Sequence, residues 1–185
     1  KTLPGDYTSN LKHGIRGSKI ALAVGNYVEE SDPEILAAVR SAMLVLKELG
    51  ASITEVSMDF LRESALANGI MTQADGAAFH RERLKAHPDW FGADVRQRLE
   101  AGAAVTSSEY ALARRTQVEV KRKCDLLFEQ YDLLMLPTTP IPAPFLEGEN
   151  AIERARQLTR FTAPFNLTGL PAISVPCGFT KEVLP

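Results

Sequence analysis

Residues 18–57 constrain the fold more tightly than any other stretch, because two buried-strand patterns flank one amphipathic helix pattern. In SKIALAVG, residues 18–25, larger and smaller apolar side chains alternate through Ile20, Leu22 and Val24, as in a strand covered on both faces. Ser31, Asp32, Pro33 and Glu34 then supply a helix start, where proline's missing donor costs nothing because first-turn donors have no intrahelical partner. Ile35, Val39, Ala42, Met43, Leu46 and Leu49 recur at three- and four-residue intervals, with Gly50 where a left-handed cap falls. Burying such side chains contributes about 1.5 to 3 kcal/mol each before ordering entropy is subtracted, so this stripe must meet a sheet or another helix. Residues 52–57, with Ile53 and Val56, predict the next strand. Strand, helix and strand in this order imply a right-handed parallel unit.

The remaining elements are read the same way. From Asp59 to about Ala86 the helical pattern is interrupted at Gly69 and Gly76 and broken at His87-Pro88, which predicts two shorter helices. Ala93 to Ala101 predicts a short helix stopped by Gly102. Thr106 and Glu109 form a capping-box pattern, in which hydroxyl and carboxylate each satisfy an otherwise orphan backbone donor. The long helix they open reaches about Glu129, with Leu112, Val120, Cys124, Leu127 and Phe128 on its buried side. Leu133 to Leu136 is short and wholly apolar, like a central strand of a covered sheet. Pro137, Pro140, Pro142 and Pro144 make the next stretch a rigid loop. Ile152 to Phe161 predicts a helix that Pro164 keeps from continuing. Ala172 to Val175, bracketed by Pro171 and Pro176, predicts a short strand, with Asn166 and Gly169 in the loop ahead of it. No repeat, low-complexity tail or flexible linker marks an internal domain boundary.

Composition narrows the functional classes. At 185 residues and 45% hydrophobic the chain can bury a sizeable core. A net charge of -2 and a pI near 6.0 give no global attraction to nucleic acid or anionic lipid. The densest basic stretch, Arg114, Arg115, Lys121, Arg122 and Lys123, is interleaved with Glu119 and Asp125 on a predicted helix, and reads as a solvated face rather than a phosphate-binding surface. Cys124 and Cys177, with His13, His80 and His87, show no metal-ligand spacing. No signal peptide or bilayer-length apolar run is present, so the expected location is cytoplasmic. Asn166-Leu167-Thr168 satisfies a glycosylation sequon, read here as a polar loop.

The runs YDLLMLPTTPIPAP at 131–144 and NLTGLPAISVPCG at 166–178, preceded by FGADVRQRLEAG at 91–102 and SSEYALARR at 107–115, form an ordered set. That set resembles the C-terminal part of the amidase signature family, whose members hydrolyse carboxamides, and with the opening segment it covers nearly the whole chain. The resemblance implies an α/β fold, part of a mixed β-sheet covered by helices and incomplete in this chain. It also implies a Ser-Ser-Lys centre. A serine oxygen attacks the amide carbonyl, a neutral lysine assists through the second serine, backbone donors stabilise the oxyanion and water releases the acyl group. Those serines lie in a glycine- and serine-rich segment N-terminal to everything seen here, and no such segment is present. Ser107 and Ser108, the adjacent pair, lack a glycine-rich strained turn and read as the start of a capped helix. The chain starts at Lys1 without a methionine and stops at Pro185 after a strand and turn; both fit a fragment. Residues 1–185 are therefore expected to be the C-terminal portion of an amidase domain, with no catalytic residue and no cofactor of their own.

Recognition is what the resemblance leaves to this chain. Arg98 matches a position where some relatives, notably the glutaminase subunit of the tRNA-dependent amidotransferase, hold the substrate's carboxylate, a task suited to a guanidinium fork. The alternative places Arg98 on a helix face, paired with Glu100 or a neighbouring acid. Where that glutaminase subunit carries an acidic group for the substrate's amino group, the nearest equivalent here is Thr159, which tilts the reading from glutamine toward a general amidase. Asn166 either organises its own loop or touches substrate. The implied partners are a small-molecule amide and the missing N-terminal portion of the same fold, with no membrane or direct nucleic-acid contact expected and a homo-oligomer compatible. A non-catalytic binding or structural module is the remaining class.

Overall fold

A computed structural model of the chain describes residues 8–9, 12–144 and 157–184. Strand β1 (Lys19–Val24) is followed by the one-turn helix α1 (Asn26–Glu29), helix α2 (Pro33–Glu48) and strand β2 (Ser52–Ser57). The two strands pair in parallel from Lys19 opposite Ser52 to Val24 opposite Ser57. Asp32 caps α2 by accepting from the Glu34 amide at 2.8 Å, and Pro33 occupies the first turn, so the predicted start is observed. Strand β3 (Leu133–Met135) pairs in parallel with the other side of β1, giving the order β2-β1-β3. All three described strands are parallel, and β3 lies at the edge of the described sheet rather than at its centre.

Alternation along β1 splits its side chains between two faces. Ala21 and Ala23 join Val120, Cys124 and Leu127 of helix α5 (Ser107–Phe128), together with Tyr27, Val28, Met58, Leu61 and Phe161, in the main core. Leu22 and Val24 line a shallow groove of about 170 Å³ beneath Leu36 and Val39 of α2. Of the predicted α2 stripe only Val39 is fully buried, and Leu49 is exposed. Leu112 is likewise exposed, since the buried side of α5 runs through Ala113, Val120, Cys124 and Leu127.

Beside the sheet sits a helical layer of α3 (Ser64–Ala86), α4 (Ala93–Ala103) and α6 (Ala163–Thr168), with a 3-10 turn at Pro88–Trp90 before α4. Ala67 and Met71 of α3, Ala113 of α5 and Leu167 of α6 form a second, smaller core. The predicted pair of helices from Asp59 to Ala86 is a short 3-10 turn, Asp59–Leu61, and one 23-residue helix. A helix-interior glycine costs only about 1 kcal/mol, less than α3 gains by packing against α4, α5 and α6. Gly102 does not stop α4 either. It lies buried inside the last turn where α4 crosses α3, and a Cβ there would sit 2.0 Å from the Gln73 carbonyl oxygen. The break at His87-Pro88 and the capping box at Thr106–Glu109 are both observed. The first half of the helix expected from Ile152 to Phe161 lies outside the described residues; beyond it, 157–158 are helical and 159–162 form a turn.

The helical residues 157–158 end in the turn 159–162 and do not continue past Pro164, which stands in the first turn of a new helix, α6, where a missing donor is harmless. Ala172 to Val175 is not in the sheet: residues 170–180 have no regular structure, and Ile173 is 88% exposed and Val175 67%. Proline rules say where hydrogen-bonded structure cannot lie, and they do not supply the strand to pair with.

Candidate functional site

Because the strands are parallel, their C-terminal ends share one edge, the usual place for a site in an open α/β sheet. β1 leads there into Gly25, β2 into Asp59 and β3 into the 137–144 loop. Asp59 gathers the first two: its Oδ1 accepts from the Tyr27 amide at 2.8 Å and its Oδ2 from the Ser57 hydroxyl at 3.0 Å. Gly25 has φ 99°, and a Cβ on it would lie 2.7 Å from Asp59 Oδ2, so the turn admits no side chain. The third is tied in by the Asp32 amide, which donates to the Pro140 carbonyl at 2.8 Å.

Over this edge lies a charged and aromatic cluster. The Tyr27 hydroxyl donates to the Arg160 carbonyl at 2.5 Å, and the Tyr27 ring meets Phe161 edge-on at 5.2 Å. The Arg160 guanidinium lies 4.9 Å from the Tyr27 ring centroid and donates to Glu30 Oε2 at 2.7 Å, while Arg62 donates to Glu30 Oε1 at 3.0 Å. Hydrogen bonds from Arg62 and then Arg160 hold the Glu30 carboxyl below its ordinary range. Burial pushes the Tyr27 hydroxyl up to about 12, against the opposing charges of Arg160 and Arg62. A phenol so raised stays protonated and keeps its donor role. Each polar group in this cluster has a protein partner, so it acts as a brace that fixes residues 159–168 to the strand ends. Sequence reading missed it because Glu30 and Arg160 are 130 positions apart and no local pattern links them.

Of the residues singled out for recognition, Arg98 and Asn166 lie on the helical layer and Thr159 in the turn that leads into it. Arg98 is exposed on α4, and among the described residues it is Arg96, at 4.0 Å, that pairs with Glu100; the expected alternative of an Arg98–Glu100 pair is not formed. Thr159 is exposed, and its carbonyl accepts from the Ala163 amide at 2.9 Å at the entry to α6. Asn166 is exposed within α6, not in a loop, and among the described residues its side chain shows no hydrogen bond to the surrounding backbone. Gly169 takes the left-handed cap with φ 73°, which lets residues 163–168 close as a helix and leaves Asn166 on its outer side. α4 and α6 both pack on α3, so the structure puts Arg98 and Asn166 on neighbours of one helix without bringing them into contact with each other. Gln117 of α5 donates to the Leu167 carbonyl at 2.6 Å and steadies the end of α6.

Chemically competent groups are sparse. Ser107 and Ser108 open α5 behind the Thr106 cap, as a helix start. Burial pushes the Cys124 thiol up to about 11, away from nucleophilic use. Among the described residues no three His, Cys, Asp or Glu side chains converge to hold a metal, and no helix is long and apolar enough to cross a membrane.

The sequence profile described as Amidase matches residues 1–185. The chain belongs to this family. It is 34% identical over 186 residues to the amidase of Pseudomonas putida, a match covering 96% of this chain and 40% of that protein. It is 32% identical over 206 residues to a glutamyl-tRNA(Gln) amidotransferase subunit of Myxococcus xanthus, covering 97% and 42%. The crystal structure of a bacterial aryl acylamidase of the amidase signature family superposes with a TM-score of 0.80 over 98% of this chain and 41% of that one, at 23% identity, and shares the fold. The chain thus spans about two fifths of the length of the relatives it matches.

Proposed function

We propose that residues 1–185 are the C-terminal portion of an amidase domain, and that the protein they belong to hydrolyses carboxamides through a Ser-Ser-Lys centre supplied outside this chain. The observation that carries this reading is the match to the Amidase family along the whole chain, at 40% of the length of the Pseudomonas putida amidase. The chain's own part is to build one side of the substrate space. Arg98 offers an exposed guanidinium, unpaired among the described residues, to a substrate carboxylate, and Thr159 and Asn166 present neutral polar groups. No cofactor enters this scheme. The partners are a small-molecule amide and the remainder of the amidase domain.

The likeness to the Myxococcus xanthus amidotransferase protein favours one second reading, glutamine hydrolysis within a tRNA-linked complex. Thr159 speaks against it, since a neutral hydroxyl cannot pair with the ammonium of glutamine as a carboxylate does. The test is to mix this chain with a separate polypeptide comprising the stretch of the Pseudomonas putida amidase that it does not match. Ammonia release from simple aliphatic and aromatic amides is expected from the mixture and from neither part alone; a mixture that assembles but stays inert refutes the reading. In an active mixture Arg98→Ala should lower kcat/KM for acidic amides by about tenfold to a hundredfold, the value of a charge-assisted hydrogen bond, and leave neutral amides unchanged. Equal losses on both would return Arg98 to a structural role.

A further inference from the structure

Helix α6 is six residues long, too short to hold its own shape, because so few turns cannot offset the ordering of the first one. Its position is set by what anchors it at each end. At the far end Leu167 enters the second core, and its carbonyl accepts from Gln117 at 2.6 Å. At the near end the anchors are the residues just ahead of the helix. Phe161 is buried in the main core, and the Arg160 carbonyl accepts from the Tyr27 hydroxyl at 2.5 Å. The Arg160 guanidinium lies 4.9 Å from the Tyr27 ring centroid and 5.5 Å from that of Phe161, and its far end donates to Glu30 at 2.7 Å. Thr159 is caught between these anchors and the helix, since its carbonyl accepts from the Ala163 amide at 2.9 Å and the Thr162 amide at 3.2 Å. A shift of Arg160 therefore carries Thr159, the first turn of α6 and Asn166 with it.

Glu30 stands outside that unit. It follows α1 at the end of β1, and its second oxygen accepts at 3.0 Å from Arg62, which leaves the 3-10 turn after β2. Arg62 steadies the carboxylate, whereas Arg160 is the arm that reaches the recognition segment. Charge-assisted hydrogen bonds of this kind are the strong ones, and losing one shifts an equilibrium by about tenfold to a hundredfold. We infer that the Glu30–Arg160 pair is the latch that sets where Thr159 and α6 stand, and that Glu30 is a positioning residue, acting on substrate only through Arg160. The substrate role rests on the amidase reading above; the latch does not.

Native-state amide exchange of the 185-residue chain tests the latch at Ala163, Phe165, Asn166 and Gly169, whose amides are hydrogen-bonded within the segment. Because opening of α6 breaks the pair, Glu30→Gln and Arg160→Met should each speed exchange there by at least about tenfold. The double variant should be no faster than the faster single one, since both remove the same interaction. Arg62→Met removes an ion pair from the same carboxylate but leaves the arm to α6 in place, so exchange at the four amides should stay within about twofold of the parent. A general stabilising role would move all three single variants alike. Unchanged exchange in Glu30→Gln, equal acceleration in Arg62→Met, or additive effects in the double variant overturn the latch. The substrate role is read in the mixture with the complementary stretch of the Pseudomonas putida amidase. Groups that bind substrate and transition state alike set KM, so Glu30→Gln should raise KM by about tenfold and keep kcat within about twofold. A fall in kcat at unchanged KM, or no change in either, overturns the positioning role while the amidase reading stands. An inert parent mixture refutes the amidase reading and the substrate role together, and exchange still decides the latch.

Discussion

Replacing Gly102 and Gly69 by alanine should move stability in opposite directions, although both sit inside helices. At Gly69 a Cβ meets nothing within 4 Å, so alanine brings only its better helix propensity, up to about 1 kcal/mol. At Gly102 the same Cβ lands 2.0 Å from the Gln73 carbonyl oxygen, 2.5 Å from its carbon and 3.1 Å from Ala77 Cβ. Two of those atoms are α3 backbone and cannot rotate away, so α4 must lift off α3. Overpacking costs about 1 to 3 kcal/mol, and a backbone collision belongs at the upper end; subtracting the propensity gain leaves about 2 kcal/mol of net loss. For a chain of this size that is a fall in Tm of roughly 4 to 8 °C, against a rise of roughly 2 to 4 °C for Gly69→Ala. Urea unfolding followed by far-ultraviolet circular dichroism, with thermal melts, gives both values. A Gly102→Ala chain as stable as the parent, or two variants destabilised alike, would refute the close crossing of α3 and α4 that sets the position of Arg98.

Two solution measurements probe the sheet side. Cys124 is buried with its thiol raised to about 11 while Cys177 is exposed, so a thiol reagent at pH 8 should modify one cysteine in the native chain and two after denaturation. With its folded value above the ordinary 9.0, Cys124 contributes stability that is fully present below pH 9 and is lost as pH rises through about 11. Glu30 behaves in the opposite sense. Its carboxyl is depressed below 4.5 by Arg62 and Arg160, so its contribution is present above that value and is lost as pH falls through the lowered one. Urea midpoints between pH 7 and 3 should therefore decline less steeply for Glu30→Gln than for the parent, and identical slopes would show that the Arg62–Glu30–Arg160 brace does not hold in solution.

How far the sequence discloses the structure depends on whether the deciding contact is local. The β1-α2-β2 unit, the Asp32 and Thr106 caps and the break at His87-Pro88 were legible because periodicity, capping chemistry and proline geometry act within a few residues. The glycines of α3 and α4 misled because tertiary packing, absent from local pattern, decides whether a helix tolerates them. Gly102 in particular reads as a stop signal in sequence and is a contact point between helices in space. Leu133 to Leu136 reads as a covered strand by its apolar side chains, and among the described strands it pairs in parallel with β1. The residues proposed for recognition, Arg98, Thr159 and Asn166, were reached through family resemblance. Their neighbours, Arg96 taking Glu100 and Arg160 folding over Tyr27, emerge only when distant segments are brought together.

The most direct test of the central claim, that this chain belongs to an amidase whose catalytic serines lie elsewhere, is to incubate the purified 185-residue protein with a serine-directed fluorophosphonate probe and with simple amides. The account predicts no stoichiometric serine labelling and no turnover, since losing the members of such a catalytic unit costs on the order of a millionfold even when the rest of a site survives. Labelling of any serine at one equivalent, or amide hydrolysis that tracks the chain through purification, would place a working centre inside these residues and contradict it.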